Sequence, residues 1–170
     1  MSTGARFDLT GRVVVITGGG KGIGKVYSQE FARAGAKIVA ADIDAAAAEE
    51  VAKGIVAEGH LAIGIKTDVA DAESARVMAA AAIAKFGTID VLINNASLMS
   101  VLPRRSWLEI PDNEWDRVMA VNLRGLFLCC RATFPAMREQ GRGKIVNISS
   151  SRVWEGNPNR LHYTTSKAGV

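Results

Sequence analysis

Cysteine, histidine and aromatic residues are scarce in this chain of 170 residues, which contains two cysteines, two histidines and 6% aromatic residues. The cysteines, Cys129 and Cys130, are neighbours inside a helical pattern, where adjacent side chains point about 100° apart. This arrangement disfavours a disulfide between them and offers no metal-ligand spacing. We therefore expect reduced thiols, no bound metal and a cytoplasmic protein.

Long apolar runs and concentrated charge are also lacking. No apolar run reaches the roughly 18 residues that a membrane helix requires. The amino terminus has no basic segment followed by an apolar core, so we expect neither a membrane anchor nor a secretory signal. The net charge is +4, but the basic residues are dispersed and form no stripe with interleaved aromatics, which argues against nucleic acid as a partner.

What the chain does contain is a regular alternation of short apolar runs, rich in β-branched residues, with longer helical patterns. The runs predict strands at 12–17, 36–41, 61–65, 89–93 and 144–148. The helical patterns predict helices at 22–34, 44–58, 71–86 and 112–138, and a further helix opening near Tyr163. Asp44 and Asp71 are expected N-caps, Gly87 a C-terminal stop, and Pro135 a candidate break in the long helix.

This alternation predicts an α/β fold in which a doubly wound, Rossmann-like parallel sheet carries helices on both faces. We expect one domain over residues 1–170. The chain stops a few residues into its last helix, at Gly169 and Val170, so we expect this domain to be cut short within that helix, with the sheet edge after the fifth strand missing.

Polar residues or glycines follow every predicted strand. In a doubly wound sheet, ligands bind beyond the carboxyl ends of the strands, so these residues are expected to gather at one site. They are, in strand order, the segment 17–24 (Thr-Gly-Gly-Gly-Lys-Gly-Ile-Gly), Asp42, Asp68, Asn94 with Asn95, and the serines at 149–151.

The glycine segment joins a strand directly to a helix. Glycines allow a backbone to approach a ligand closely, and a helix N-terminus offers free N–H groups to a pyrophosphate. The spacing matches neither G-x-G-x-x-G nor a P-loop. From these residues alone, a glycine turn without a ligand therefore remains an alternative.

Asp42 lies 18 positions beyond Gly24, close to the spacing of about 20 expected for an acid that binds the adenosine ribose. A carboxylate at that position would repel a 2′-phosphate, so NAD is favoured over NADP, although Lys21 points weakly the other way. An exposed loop acid is the alternative for Asp42. Asp44 is interpreted as a helix cap.

Tyr163 and Lys167 stand four residues apart on the last predicted helix and so share a face. A tyrosine hydroxyl ordinarily has a pKa of about 10, and a neighbouring cation favours its ionised form, which suits it to proton transfer. Taken alone the pair is a weak signal, because such pairs are common on exposed helices.

Taken together, six motifs resemble those of the short-chain dehydrogenase/reductase family, in the family's order and over essentially the whole chain. The likeness is closest to 3-oxoacyl reductases and secondary-alcohol dehydrogenases. The motifs are the glycine segment 17–24, Asp68 with Val69, Asn94-Asn95-Ala96, Asn122, the serines after Ile148, and Tyr163-Thr-Thr-Ser-Lys167.

The resemblance implies hydride transfer between a nicotinamide and a secondary alcohol or ketone. Tyr163 would be the general acid/base, Lys167 would assist it and bind the nicotinamide ribose, and Ser150 would hydrogen-bond the substrate oxygen, with Ser149 and Ser151 as alternatives. Asn122 would hold a water in a proton relay. The implied cofactor-binding residues are Gly18, Gly20, Gly22, Ile23, Gly24, Asp42, Asp68, Val69, Asn95, Ala96, Tyr163 and Lys167.

The sequence departs from the family pattern at Ser97, where a glycine is expected. The family's domain also continues past the Tyr163 helix, so we expect a chain ending at Val170 to bind cofactor poorly and turn over little. The resemblance implies a homo-oligomer, a dimer or tetramer, for the complete protein. The alternative to an enzyme is a non-catalytic nucleotide-binding domain or an inactive fragment. Trp154 is a candidate for stacking on substrate, and His162 is interpreted as a helix-start residue.

Overall fold

A parallel sheet of five strands organises the residues described in this computed structural model, 8–156 and 158–170. Residues 1–7, which belong to the amino-terminal segment interpreted above, lie outside this described part. Neighbouring strands are parallel throughout, in the order β3-β2-β1-β4-β5. The strands are β1 (Val13–Thr17), β2 (Lys37–Asp42), β3 (Ala62–Lys66), β4 (Val91–Asn94) and β5 (Lys144–Asn147).

Helices connect the strands and cover the sheet. They are α1 (Gly22–Arg33), α2 (Ala45–Ala57), α3 (Ala72–Phe86), α4 (Asp112–Met119), α5 (Gly125–Glu139), α6 (Arg152–Glu155) and α7 (Leu161–Gly169). A short 3₁₀ helix covers Trp107–Glu109, and a π-helical turn, Ala120–Arg124, joins α4 to α5 without interruption. None of the helices in the described residues is both long and apolar enough to cross a membrane.

The two faces of the sheet bury separate apolar cores, as the strand pattern predicts for a sheet covered on both sides. Because successive strand residues point to opposite faces, Val15 packs with Met78 and Leu128 from α3 and α5. Its neighbours Val14 and Ile16 pack with residues of α1 and α2 on the other face. The doubly wound α/β fold is therefore confirmed, with the strand order reversing between β1 and β4.

Most helix ends agree with the prediction because their signals are local. The carboxylate of Asp44 accepts a hydrogen bond from the N–H of Ala47, and that of Asp71 from Ser74. Gly87 ends α3 with a φ of 88°. β2 runs one residue further than predicted, so that Asp42 is its last residue.

The candidate break at Pro135 is wrong, since α5 continues through this residue. Pro135 and Arg131, whose carbonyl loses its N–H partner, both lie on the exposed side of the helix, where water can replace the missing bond. The irregularity falls instead at the π turn, 11 or more residues earlier. Neither α6 nor the 3₁₀ helix was predicted, because each is only a single turn.

Asp90 ties together the amino ends of three strands. Its side chain is almost wholly buried, and Oδ2 accepts a 3.0 Å hydrogen bond from the N–H of Val13. Oδ1 lies 3.1 Å from Arg12 Nη1 and 3.3 Å from Arg142 Nε. Its backbone pairs with Val13 and with Lys144 at the start of β5. The Asp90 carboxylate therefore connects the start of β1 to the residues that directly precede β4 and β5.

We expect Asp90→Ala to lower the free energy of unfolding by about 2–3 kcal/mol, because it strips charged hydrogen bonds from a buried N–H. Urea-induced unfolding measures the effect. Glu49→Gln is the matched control, since Glu49 pairs with Lys53 on an exposed helix face and the loss of this pair is expected to cost less than about 0.5 kcal/mol. Equal effects of the two substitutions would contradict the role given to Asp90.

Candidate active site

The glycine turn after β1 is locked to the segment that follows β4. The hydroxyl of Thr17 accepts 3.1 Å hydrogen bonds from the N–H groups of Asn95 and Ala96. In return, Nδ2 of Asn95 donates to the carbonyls of Thr17 at 3.0 Å and Gly18 at 3.3 Å. Gly18 has a φ of 64°, a conformation that glycine adopts without strain. The motif residues of two distant segments therefore support one another directly.

Helix α1 begins unusually close to this turn. A Cβ atom at Gly24 would collide with the Gly18 carbonyl oxygen and lie 2.7 Å from Asn95 Nδ2. The side chain of Lys21, the N-cap residue of α1, makes no capping hydrogen bond, and the first turn of this helix contains no acidic residue. The first backbone N–H groups of the helix are thus left for another acceptor, in the region where a phosphate would be bound.

Asp42 is buried at the carboxyl end of β2 and oriented by two backbone groups. Oδ2 accepts a hydrogen bond from the N–H of Gly20, and Oδ1 one from Asp44, each at 3.0 Å. Lys21 lies 2.5 Å from a carboxylate oxygen of Asp44, and this hydrogen bond raises the pKa of Lys21 above its usual value. The nearby cation is therefore engaged directly by Asp44, and among the described residues Asp42 forms no ion pair of its own.

A cavity of about 810 Å³ runs along the carboxyl ends of the strands and brings the predicted site residues together. Its volume lies in the range of small-molecule and cofactor sites. Lys167 is almost wholly buried beside it, and Tyr163 contributes from the same helix. The predicted residues that line it are Gly18, Gly22, Ile23, Gly24, Asp42, Asp68, Val69, Asn95, Ala96, Ser150, Tyr163 and Lys167.

Gly20 does not line this cavity. Its N–H is used by Asp42, and a Cβ at Gly20 would lie 2.9 Å from the backbone N of Ala48 in α2. The lack of a side chain is therefore needed for packing against α2, and Gly20 acts on the site by orienting the Asp42 carboxylate.

Asn122 lies beside the large cavity, in the π turn, and is buried. Its Oδ1 accepts a 2.7 Å hydrogen bond from the N–H of Leu98, and its Nδ2 donates to the Leu98 carbonyl at 3.2 Å and to Ser166 Oγ at 3.0 Å. Asn122 thus joins the segment after β4 to α7. A second, small cavity of about 10 Å³ is lined by both Asn122 and Lys167.

Lys167 connects helix α7 to the segment after β5 through both its side-chain amine and its backbone carbonyl. Nζ of Lys167 donates a 2.6 Å hydrogen bond to the Ile148 carbonyl, and Ser149 Oγ donates to the Lys167 carbonyl at 2.8 Å. Burial lowers the pKa of Lys167 from its ordinary value. The ring of Tyr163 packs with Leu102 and Val118.

Among the three serines, Ser150 is the one that lines the cavity without donating its hydroxyl to another described group. Within the described residues its hydroxyl accepts a single hydrogen bond, of 3.3 Å from the N–H of Arg152, whereas Ser149 donates to α7 and Ser151 does not line the cavity. Trp154 is 90% exposed and lies outside the cavity lining, so the structure gives no contact between Trp154 and the site.

Sequence reasoning missed part of the cavity wall. Arg117, Ala120 and Val121 line it from α4 and the π turn. The only available signal was that Val121 precedes Asn122. Nothing in the pattern around Arg117 distinguishes it from an ordinary exposed helix residue.

Comparison with known proteins agrees with this arrangement. A family model described as short chain dehydrogenase matches residues 12–170. The chain is 41% identical over 162 residues, 95% of its own length, to an uncharacterized oxidoreductase of Thermotoga maritima, of which it covers 62%. It is 37% identical over 164 residues to D-threitol dehydrogenase of Mycolicibacterium smegmatis, and 36% over 167 residues to L-rhamnose 1-dehydrogenase (NAD(P)(+)) of Azotobacter vinelandii. These alignments cover 96% and 95% of the chain and 62% and 64% of the relatives. The chain thus spans about three fifths of the length of the curated relatives it matches.

We expect Gly24→Ala to destabilise the protein by about 1–3 kcal/mol, because the added methyl group overlaps backbone that is fixed by Thr17 and Asn95. Thermal unfolding measures the change. Gly54→Ala is the matched control: apart from the neighbouring backbone of α2 itself, no atom of the described residues lies within 4 Å of its Cβ position, and the substitution is expected to stabilise that helix by up to about 1 kcal/mol. If both variants were equally stable, the close approach of α1 to the turn would be wrong.

Proposed function

The chain belongs to the short chain dehydrogenase family, and from that premise we propose that it forms most of an NAD-dependent oxidoreductase that interconverts a secondary alcohol and a ketone. One observation carries the proposal: a single cavity is lined by the glycine turn, by Asp42 and by Ser150, Tyr163 and Lys167. Because the chain spans only part of its relatives' length, the activity is proposed for the complete protein, and the measurements below use it.

The residues present fit a nicotinamide dinucleotide. The turn at Gly18 and Gly24 leaves no room for side chains, and the uncapped start of α1 suits a pyrophosphate. In this proposal Asp68 and Val69, at the cavity wall after β3, contact the adenine, and Lys167 contacts the nicotinamide ribose. When bound, the cofactor supplies or accepts the hydride.

We propose NAD as the preferred form because of the Asp42 carboxylate. It is held by two N–H groups, lines the cavity and forms no ion pair within the described part of the chain, so it would accept hydrogen bonds from ribose hydroxyls and repel a 2′-phosphate. Lys21, the nearby cation that could favour a phosphate, is paired with Asp44.

The chemical step assigned to this chain is a proton transfer. During alcohol oxidation, Tyr163 accepts the proton from the substrate hydroxyl as the carbon loses its hydride, and during ketone reduction it returns that proton. The Lys167 ammonium group stabilises the negative charge on the tyrosine oxygen, and the Ser150 hydroxyl holds the substrate oxygen. Asn122 and Lys167 border a small cavity of about 10 Å³, roughly the room for one water, which supports the proposed proton relay.

The proposed substrate class is a small molecule with a secondary hydroxyl group or the corresponding ketone. Relatives named D-threitol dehydrogenase and probable galactose dehydrogenase act on polyhydroxylated compounds by name. We also propose that the complete protein is a homo-oligomer, either a dimer or a tetramer. The exposed rings of Phe127 and Phe134 on α5 support this proposal, since apolar surface of this kind is commonly covered by a partner.

We expect NADH to bind at least about tenfold more tightly than NADPH, a difference of about 1.4 kcal/mol, because only NADPH brings a phosphate to Asp42. Titration of protein fluorescence with each cofactor gives the two dissociation constants. Asp42→Asn should reduce the preference, since it removes the charge but keeps a hydrogen-bonding oxygen. Glu49→Gln, which alters an exposed acid of α2 that does not line the cavity, should leave it unchanged. Tighter binding of NADPH by the unmodified protein would overturn the assignment.

We expect Tyr163→Phe to lower kcat by about 10²–10⁴-fold, the usual contribution of a positioned acid/base, while the NADH dissociation constant changes little. Initial rates of NADH formation or consumption with a panel of alcohols and ketones provide the measurement. Tyr27→Phe is the control, because Tyr27, the other tyrosine, stacks on Phe31 in α1. Full activity of Tyr163→Phe would remove the mechanism, and NADH binding without any turnover would favour a nucleotide-binding domain.

A further inference from the structure

A buried polar cluster lies next to Tyr163 but outside the cavity. His162, the residue before it on α7, is completely buried, and its Nε2 lies 3.2 Å from Oε1 of Glu114 on α4. The other carboxylate oxygen of Glu114 lies 3.5 Å from Nη2 of Arg105. We define these three residues, His162, Glu114 and Arg105, as the α4–α7 cluster. None of them lines the large cavity.

The cluster joins three segments that are far apart in the chain. Arg105 belongs to the segment after β4, and its N–H donates a 3.2 Å hydrogen bond to the carbonyl of Asn159, just before α7. Arg160 donates a 3.3 Å hydrogen bond from Nη2 back to the carbonyl of Leu102. The start of α7 is therefore connected in both directions to the segment after β4, and through Glu114 to α4.

The position of the Tyr163 side chain depends on contacts with the same three segments. Its ring packs with Leu102 from the segment after β4 and with Val118 from α4. Glu114 and Val118 are four residues apart and so lie on one face of α4. This face contacts His162 through the carboxylate and Tyr163 through the valine, so any movement of α7 along α4 would shift the phenol and the imidazole together.

The polar side chains of the α4–α7 cluster favour a role in orienting α7, because filling the same space with apolar side chains would cost less free energy. Burying an imidazole and a carboxylate costs free energy that an apolar pair of similar volume would not. Burial lowers the pKa of His162, and the Glu114 carboxylate opposes this shift. In the described residues, neither ring nitrogen of His162 makes a hydrogen bond of full geometry. Nε2 is the nitrogen that lies 3.2 Å from the Glu114 carboxylate, so it is the atom through which His162 acts on α4.

We propose that His162 is a positioning residue, which through Glu114 holds the start of α7 so that the Tyr163 hydroxyl enters the cavity beside Lys167 and Ser150. The inference rests on the proposed function, because it assigns His162 an effect on the proton transfer performed by Tyr163. It predicts that the shape and hydrogen-bonding atom of residue 162 affect turnover, although this side chain does not touch the substrate.

The test compares three substitutions in the complete protein. His162→Phe keeps a ring but removes both nitrogens. His162→Gln places an amide nitrogen near the position of Nε2, and His162→Asn places one near Nδ1. His60→Gln is the matched control, because His60 is the other histidine of the chain and follows α2, far from α7. The readouts are kcat, the KM for substrate, the NADH dissociation constant and the melting temperature.

We expect His162→Phe and His162→Asn to lower kcat by about 10- to 100-fold, the scale of a catalytic group displaced by about 1 Å. The NADH dissociation constant should stay within about threefold, and His162→Gln should restore kcat to within about threefold of the unmodified enzyme. Combining His162→Phe with Glu114→Ala should lower kcat little beyond the loss caused by Glu114→Ala alone, because that substitution already removes the contact with His162.

The inference is overturned if His162→Phe retains full kcat, if glutamine and asparagine behave alike, or if kcat and NADH binding fall together with the melting temperature. Its failure is distinct from failure of the proposed function. If Tyr163→Phe abolishes turnover while His162→Phe does not, only the positioning role is wrong. If the unmodified protein shows no Tyr163-dependent turnover, the proposed function itself fails.

Discussion

The close approach of α1 to the turn after β1 is the constraint on which the rest of the site depends. Gly24 lies against the Gly18 carbonyl, and Asn95 donates to that turn from the segment after β4. The approach fixes where the first N–H groups of α1 point and where the segment after β4 runs. That segment in turn accepts and donates hydrogen bonds with Asn122, which reaches α7 through Ser166. The chain of contacts extends from the glycines to the helix of Tyr163 without a gap.

Much of this could be predicted because the signals were local or periodic. Asp44, Asp71 and Gly87 mark helix ends through hydrogen bonds or a φ angle that involve only nearby residues. The apolar strands alternate between two cores as their pattern requires. The meeting of Asp42, the glycine turn and Ser150 at one cavity followed from the rule that parallel strands present their carboxyl ends at one edge. The place of Tyr163 beside them followed from the family resemblance.

What could not be predicted depends on contacts between segments distant in sequence. Gly20 is one residue of a glycine run, yet it packs on α2 and orients Asp42 instead of lining the cavity. The π turn around Asn122 leaves no compositional trace, because its residues suit an ordinary helix equally well. His162 was interpreted as a helix-start residue, and its contact with Glu114 arises from the packing of α7 on α4, which no single-segment pattern encodes.

The strand order carries a consequence for how the protein acquires its shape. β1 lies between β2 and β4, and Thr17 is bonded to Asn95, 78 positions along the chain. A nascent polypeptide that has left the ribosome only as far as β3 can pair β1 with β2 but still has one side of β1 open. Contacts of such long sequence separation are slow to form because a large loop must close first. We therefore expect the glycine turn to reach its final geometry only after β4 has paired with β1.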